Sequence, residues 1–149
     1  SEMGAAFGLV QLKKLTFNLN KRQKNFNTHT KFFKKYTKYF ILPKQLPGSK
    51  SGWLAYPITI KNNVPFTRTE MQIFLEKRNI QTRVVFTGNI LRQPGFKNLK
   101  NKKSKIEYPE ADKVMRNGIL IACHHGLNDK MISHIHQSID KFIYSKEKN

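Results

Sequence analysis

The sequence predicts a small α+β domain: about three strands in one sheet, helices packed on one face, and a long helix leading in from the N-terminus. Three observations predict it. Apolar and aromatic residues recur at alternate spacings of three and four from Leu12 to Phe40, the period of a helix face. Three short runs at 53–60, 80–86 and 118–123, rich in β-branched or aromatic residues, are set apart by turn and capping signals. A last segment opens on Asn128 and places Ile132, Ile135, Ile139 and Phe142 on one side, as an amphipathic helix does.

The elements follow in order. Leu12, Leu15, Leu19, Arg22, Phe26, His29, Phe33, Tyr36 and Phe40 form a single stripe, with no proline before Pro43 and no glycine between Gly8 and Gly48. One helix to about Phe40 is expected, any bend falling in its Asn-rich middle. Arg22 and His29 interrupt the stripe, and for the histidine a satisfied interface role is expected rather than that of a ligand. The helical pattern is already running at the first residue, which is not methionine, so the chain reads as the end of a longer protein. Residues 1–42 are assigned to a long helix linking to a domain outside this sequence, and 43–149 to the small α+β domain.

Prolines, glycines and serines make 43–52 a loop. The strand Trp53–Ile60 carries Pro57, which suits an edge or a bulge. Thr67 and Glu70 form a capping box before a helix to about Asn79. Ile80–Phe86 alternates as a strand, and Gly88–Lys105 is loop, with a basic tract from Lys97 read as solvated surface. Pro109 and Gly118 bracket a short helix. The third strand then runs from Gly118 to Cys123 and into His124-His125-Gly126.

Composition narrows the function classes. Lys and Arg number 28 against 9 Asp and Glu, for a net charge of +19, which suits a polyanionic partner. Yet 22 of the 28 are lysines, accompanied by 13 asparagines, and no arginine-and-aromatic platform is present. The charge therefore reads as surface composition, and a basic nucleic-acid-binding module is kept only as a rival. The apolar run at 118–123 is far short of the roughly 20 residues that cross a bilayer, so no membrane partner and a cytoplasmic setting are expected. Cys123 is the single cysteine, which excludes an intrachain disulfide and a cysteine-based zinc cage. Adjacent His124 and His125 point to opposite sides after a strand, so no metal site is expected and at most one of them faces a site.

The stretch TRVVFTGNILRQP from Thr82 to Pro94 is the most informative. Gly88 supplies backbone angles closed to other residues, Asn tolerates left-handed geometry, and together they make a sharp corner after the strand. Arg83 and Arg92 flank Asn89, six residues before and three after. Two uses are open. The arginine forks, with the Asn89 amide, suit a diphosphate or a sugar hydroxyl, each charge-assisted bond contributing about 1.5–3 kcal/mol. Alternatively Asn89 caps the turn and Arg92 pairs with a surface carboxylate.

Three segments in order carry a resemblance: EMGAAFGLVQLKKL beginning at Glu2, NIQTRVVFTGNILRQPGF at 79–96, and YPEADKVMRNGILIACHHGL at 108–127. Together they resemble the C-terminal part of the DegT/DnrJ/StrS family of PLP-dependent sugar aminotransferases and dehydratases. The middle segment is most similar to the subgroup of CDP-4-keto-6-deoxyglucose 3-dehydrase and GDP-4-keto-6-deoxymannose 3-dehydratase. The resemblance implies the small C-terminal domain of a fold-type I PLP enzyme. PLP or PMP would be bound by the full-length enzyme and not by this piece, and the catalytic residues would lie in the large domain. It also implies a nucleotide-linked keto-deoxysugar as substrate, a homodimer, and a role in deoxysugar or lipopolysaccharide biosynthesis. Arg83, Asn89, Arg92, Gln93 and His125 are the substrate-binding candidates. A sugar-nucleotide aminotransferase of the same family is the nearest alternative, and iron–sulfur dependence stays open.

Overall fold

The computed structural model describes residues 1–96 and 108–148. The basic tract expected at Lys97–Lys105 lies outside the described residues. The chain begins with two helices, α1 (Glu2–Lys13) and α2 (Leu15–Phe33), and a 3₁₀ turn at Lys34–Tyr36. Strands β1 (Phe40–Ile41) and β2 (Ala55–Ile60) follow, then helix α3 (Arg68–Glu76) and strand β3 (Thr82–Val84). Two 3₁₀ turns, Ile90–Arg92 and Pro94–Phe96, precede α4 (Pro109–Asn117), β4 (Gly118–Ala122) and α5 (Asp129–Glu147).

The sheet has four strands, not three, in the order β1-β2-β4-β3, every neighbouring pair antiparallel. The added strand is β1, where Phe40 lies opposite Ile60. Nor is the first helix continuous: it breaks at Lys14, not in the Asn-rich middle, and the α-helical backbone ends at Phe33. Phe33, Tyr36 and Phe40 keep helical spacing through a 3₁₀ turn into an extended strand, so their period outlasts the helix that suggested it.

One core lies under one sheet face. Tyr56, Ile58 and Ile60 alternate inward from β2, and Ile119 and Ile121 from β4. Phe26 and Phe33 of α2, Met71 and Leu75 of α3, and Ile135, Ile139 and Phe142 of α5 cover them. Phe33 stacks on Tyr56 at 5.5 Å between ring centres, and Phe142 meets Phe66 edge-on at 5.0 Å. The capping box forms as expected, the Thr67 hydroxyl accepting from the Glu70 amide while the Glu70 carboxylate accepts from Thr67 N–H at 2.7 Å. β3 is shorter than its apolar run: the Glu76 carboxylate, at the end of α3, accepts from the Thr82 amide at 2.7 Å where the strand starts, and the backbone turns at Phe86, with φ of 45°, just past its end. By contrast α1 buries none of its residues, and Met3, Phe7, Leu9 and Leu12 stand exposed along it. Among the described residues no helix is long and apolar enough to cross a membrane.

Candidate functional site

The candidate residues fall into three places. Arg83 points away from the core, opposite Leu120 across the β3–β4 ladder. Asn89, Arg92 and Gln93 lie in the corner that follows β3. His125 sits in the turn that follows β4. Because β3 and β4 are antiparallel, corner and turn leave opposite ends of the sheet.

The corner is built against α4. Phe86 and Gly88 hold the left-handed backbone, with φ of 45° and 62°, while Asn89 has an ordinary φ of −90°. Glycine is required at 88 for a second reason, since a Cβ there would lie 2.3 Å from the Cβ of Met115. Asn89 is buried and both ends of its amide are engaged. Its Oδ1 accepts from Leu91 N–H at 3.0 Å, capping the 3₁₀ turn, and its Nδ2 donates to Asp112 Oδ1 at 2.7 Å. Arg92 grips the same carboxylate with both arms, Nε to Oδ1 at 3.1 Å and Nη2 to Oδ2 at 2.7 Å. Gln93 donates to the Thr87 carbonyl at 3.0 Å. The Arg92 fork, followed by the Asn89 amide, holds the Asp112 carboxyl at about 2, below the usual carboxylate range. Asp112 is thus the hub of the corner.

The turn after β4 is held from α2. Arg22 donates from Nε and Nη2 to His125 Nδ1 at 3.3 and 3.2 Å, so the neutral His125 ring carries its proton on Nε2. Asn25, fully buried, donates to the carbonyls of His124 at 2.8 Å and Cys123 at 3.4 Å. His29, also fully buried, meets the Ala122 carbonyl through Nε2 at 3.0 Å. That carbonyl takes only a donor, so His29 Nδ1 accepts from His136 Nε2, 3.0 Å away. Burial holds both imidazoles neutral, lowering each to about 4. Burial also pushes the Cys123 thiol up to about 12, which leaves it inert as a nucleophile.

A cleft of about 590 Å³ surrounds the end of β4, between the starts of β2 and β3 and the first turns of α5. Leu54, Leu120 and Met131 give it apolar walls, and Arg83, His124, Lys130 and His134 bring basic groups to it. His134 donates to the Arg78 carbonyl at 2.9 Å. His124 accepts from Gly126 N–H at Nδ1, 3.1 Å, which leaves the proton of its neutral ring on Nε2. Of the two adjacent histidines, then, His124 lines the cleft and His125 is turned to Arg22. Among the described residues no carboxylate lines this cleft to pair with a protonated pyridine nitrogen. The lining suits an anion beside an apolar group.

Sequence reading missed Asp112, His124 and Asn25. An isolated aspartate on a helix has no period, and Arg92, being more than half exposed, did not demand a buried partner. For the turn a signal was present, in the interruption of the apolar stripe at Arg22 and His29.

The fold and cleft define a small α+β domain that offers a basic, partly apolar site at the end of its central strand. Residues 1–140 match the DegT/DnrJ/EryC1/StrS aminotransferase family, and the chain belongs to that family of PLP-dependent sugar aminotransferases and dehydratases. It is 30% identical to the dTDP-4-dehydro-2,6-dideoxy-D-glucose 3-dehydratase of Saccharopolyspora spinosa, over 96% of this chain and 30% of that protein. It is also 30% identical to the lipopolysaccharide biosynthesis protein RfbH of Salmonella typhimurium, over 95% of this chain and 32% of that protein. Among solved structures, the Helicobacter pylori aminotransferase PseC of pseudoaminic acid biosynthesis superposes with a TM-score of 0.80 at 27% identity. That match covers 94% of this chain and 36% of the aminotransferase. The chain therefore spans about a third of the length of the relatives it matches.

Proposed function

We propose that this chain is the C-terminal domain of a PLP- or PMP-dependent nucleotide-sugar 3-dehydratase in deoxysugar and lipopolysaccharide biosynthesis, working in the cytoplasm. The observation that carries this reading is the 30% identity to a sugar 3-dehydratase over nearly the whole chain, with the 82–94 stretch folded as a strand and the locked corner that ends it. In the full-length enzyme the cofactor, held by a large domain outside this sequence, supplies the electron sink for breaking a bond on the sugar ring.

The work of this domain is binding and orientation. Arg83 offers its guanidinium to the diphosphate of the nucleotide-linked keto-deoxysugar. Asn89, Arg92 and Gln93 hold the corner that ends its strand and so fix the direction from which the substrate is met. The turn with His124 and His125 bounds the other side and supplies an imidazole N–H. The apolar surface of α1 suits packing within the larger protein, which on this reading is a homodimer.

The test is the full-length protein incubated with PLP, an amino donor and a nucleotide-linked 4-keto-6-deoxysugar, with products read by mass. Loss of the 3-hydroxyl is the expected result. Replacement of the 4-keto oxygen by an amino group would instead establish the aminotransferase reading, which the likeness to the H. pylori aminotransferase favours. Neither product would sink both.

A further inference from the structure

Three residues of α2 stand out because they break its apolar face while sharing it. Arg22, Asn25 and His29 are spaced three and four apart, which puts them on one side of the helix. Each meets a different part of the chain leaving β4, in order. His29 contacts the Ala122 carbonyl, Asn25 donates to the Cys123 and His124 carbonyls, and Arg22 holds the His125 ring. In return the Cys123 thiol lies 3.8 Å from the Arg22 carbonyl. Apolar residues would pack α2 on the sheet equally well, but they would take these donors from the Ala122 and Cys123 carbonyls, while the His124 carbonyl would keep Leu127 N–H at 3.2 Å. The Asn25 amide meets that need at a cost to itself, since its own Oδ1 is buried with no partner among the described residues. None of the three lines the cleft, whereas His124, at the centre of the segment they hold, does.

We propose that Arg22, Asn25 and His29 form a clasp, three positioning residues that fix the backbone from Ala122 to Gly126 and thereby hold the His124 imidazole in the cleft. The purpose assigned to the clasp rests on the reading of that cleft as the substrate site. Its geometry is independent of that reading.

The experiment uses the full-length protein and two variants, Asn25→Leu, which keeps the volume and loses the donor, and Arg22→Met, at a partly exposed position. Amide exchange is followed by peptide, and binding of inorganic pyrophosphate by calorimetry, with His124→Ala for comparison. In both variants exchange at residues 122–127 should rise about tenfold or more while β2 and the C-terminal half of α5 stay protected. Pyrophosphate should bind about tenfold more weakly in both variants, as in His124→Ala, the cost of one charge-assisted bond.

Unchanged exchange at 122–127 in Arg22→Met would overturn the clasp, as would a rise spread evenly over the whole domain in both variants. A loosened turn with pyrophosphate binding intact, when His124→Ala weakens it, would also overturn the positioning role. If His124→Ala leaves pyrophosphate binding unchanged, the reading of the cleft falls instead, and the exchange result alone decides whether the clasp exists.

Discussion

The corner after β3 and the turn after β4 do the same structural job at opposite ends of the sheet by opposite means. The corner is tied by charge: one carboxylate, Asp112, gathers the Asn89 amide and a half-exposed arginine fork. The turn is tied by neutral groups, an amide and two imidazoles packed into the core against Phe32 and Tyr56, with Arg22 only at its outer end. A charged tie holds wherever its carboxylate stays ionised, and a neutral buried tie holds only while its imidazoles stay unprotonated. The two ends of the sheet should therefore fail under different conditions.

The largest difference should come from their glycines. Gly88→Ala forces a side chain into left-handed backbone, about 1 kcal/mol, and drives its Cβ to 2.4 Å from the Cα of Met115, a backbone atom that has little room to retreat. With overpacking at about 1–3 kcal/mol, the expected loss is about 2–4 kcal/mol. Gly126→Ala meets only the His124 ring, with its nearest atom at 3.0 Å, and a side chain gives way more readily. Its cost should stay below about 1 kcal/mol. Urea denaturation of the two variants decides the matter, and equal losses would mean that the α4 contact is not what fixes the corner.

Acidification should separate the ends next. A histidine whose folded pKa lies below its unfolded value binds fewer protons in the native state, so stability falls as pH drops from about 6.5 towards 4 and then levels off. For His29 the shift corresponds to about 3 kcal/mol over that window. Asp112, whose unfolded value is 3.8, adds to the slope only as pH nears 4. Stability should fall less steeply with acidification in His29→Gln, with His136 still contributing. An undiminished slope in that variant would place the sensitive group elsewhere.

Much of this was readable in the sequence where a rule is local. The Thr67–Glu70 capping box, the Asn128 cap and the inward alternation of β2 depend on neighbours three residues away or fewer. The corner was legible as a corner, and both of its open uses had physical warrant. What could not be read was its partner, because Asp112 lies 20 residues beyond Arg92, further than any local rule reaches. β1 escaped because it is two residues long and its first, Phe40, continued the spacing of a helix. The broken stripe of α2 was the most informative irregularity. Arg22 and His29 are satisfied interface residues, and what satisfies them is a turn about a hundred residues further along the chain.

The smallest expected effect isolates the charge itself. Asp112→Asn keeps an oxygen to accept from Asn89 but replaces the second oxygen with an NH₂ group facing the Arg92 donors. Arg92 is more than half exposed, so water takes over much of its solvation and the domain should stay folded. The effect should be local, with faster amide exchange at 86–93 and none at 122–127. Its pH signature is also distinct. A carboxylate with a depressed folded pKa stabilises above its unfolded value, and that contribution is lost as pH falls from 3.8 through about 2. Glu70, held at about 2 by Lys146 and the Thr67 cap, adds to the same acid arm and persists in the variant. Asp112→Asn should therefore reduce the acid arm without removing it, and leave the slope between 6.5 and about 5 untouched. A change in that upper slope would show that corner and turn are coupled through the sheet, and the contrast between a charged and a neutral tie would no longer describe two independent ends.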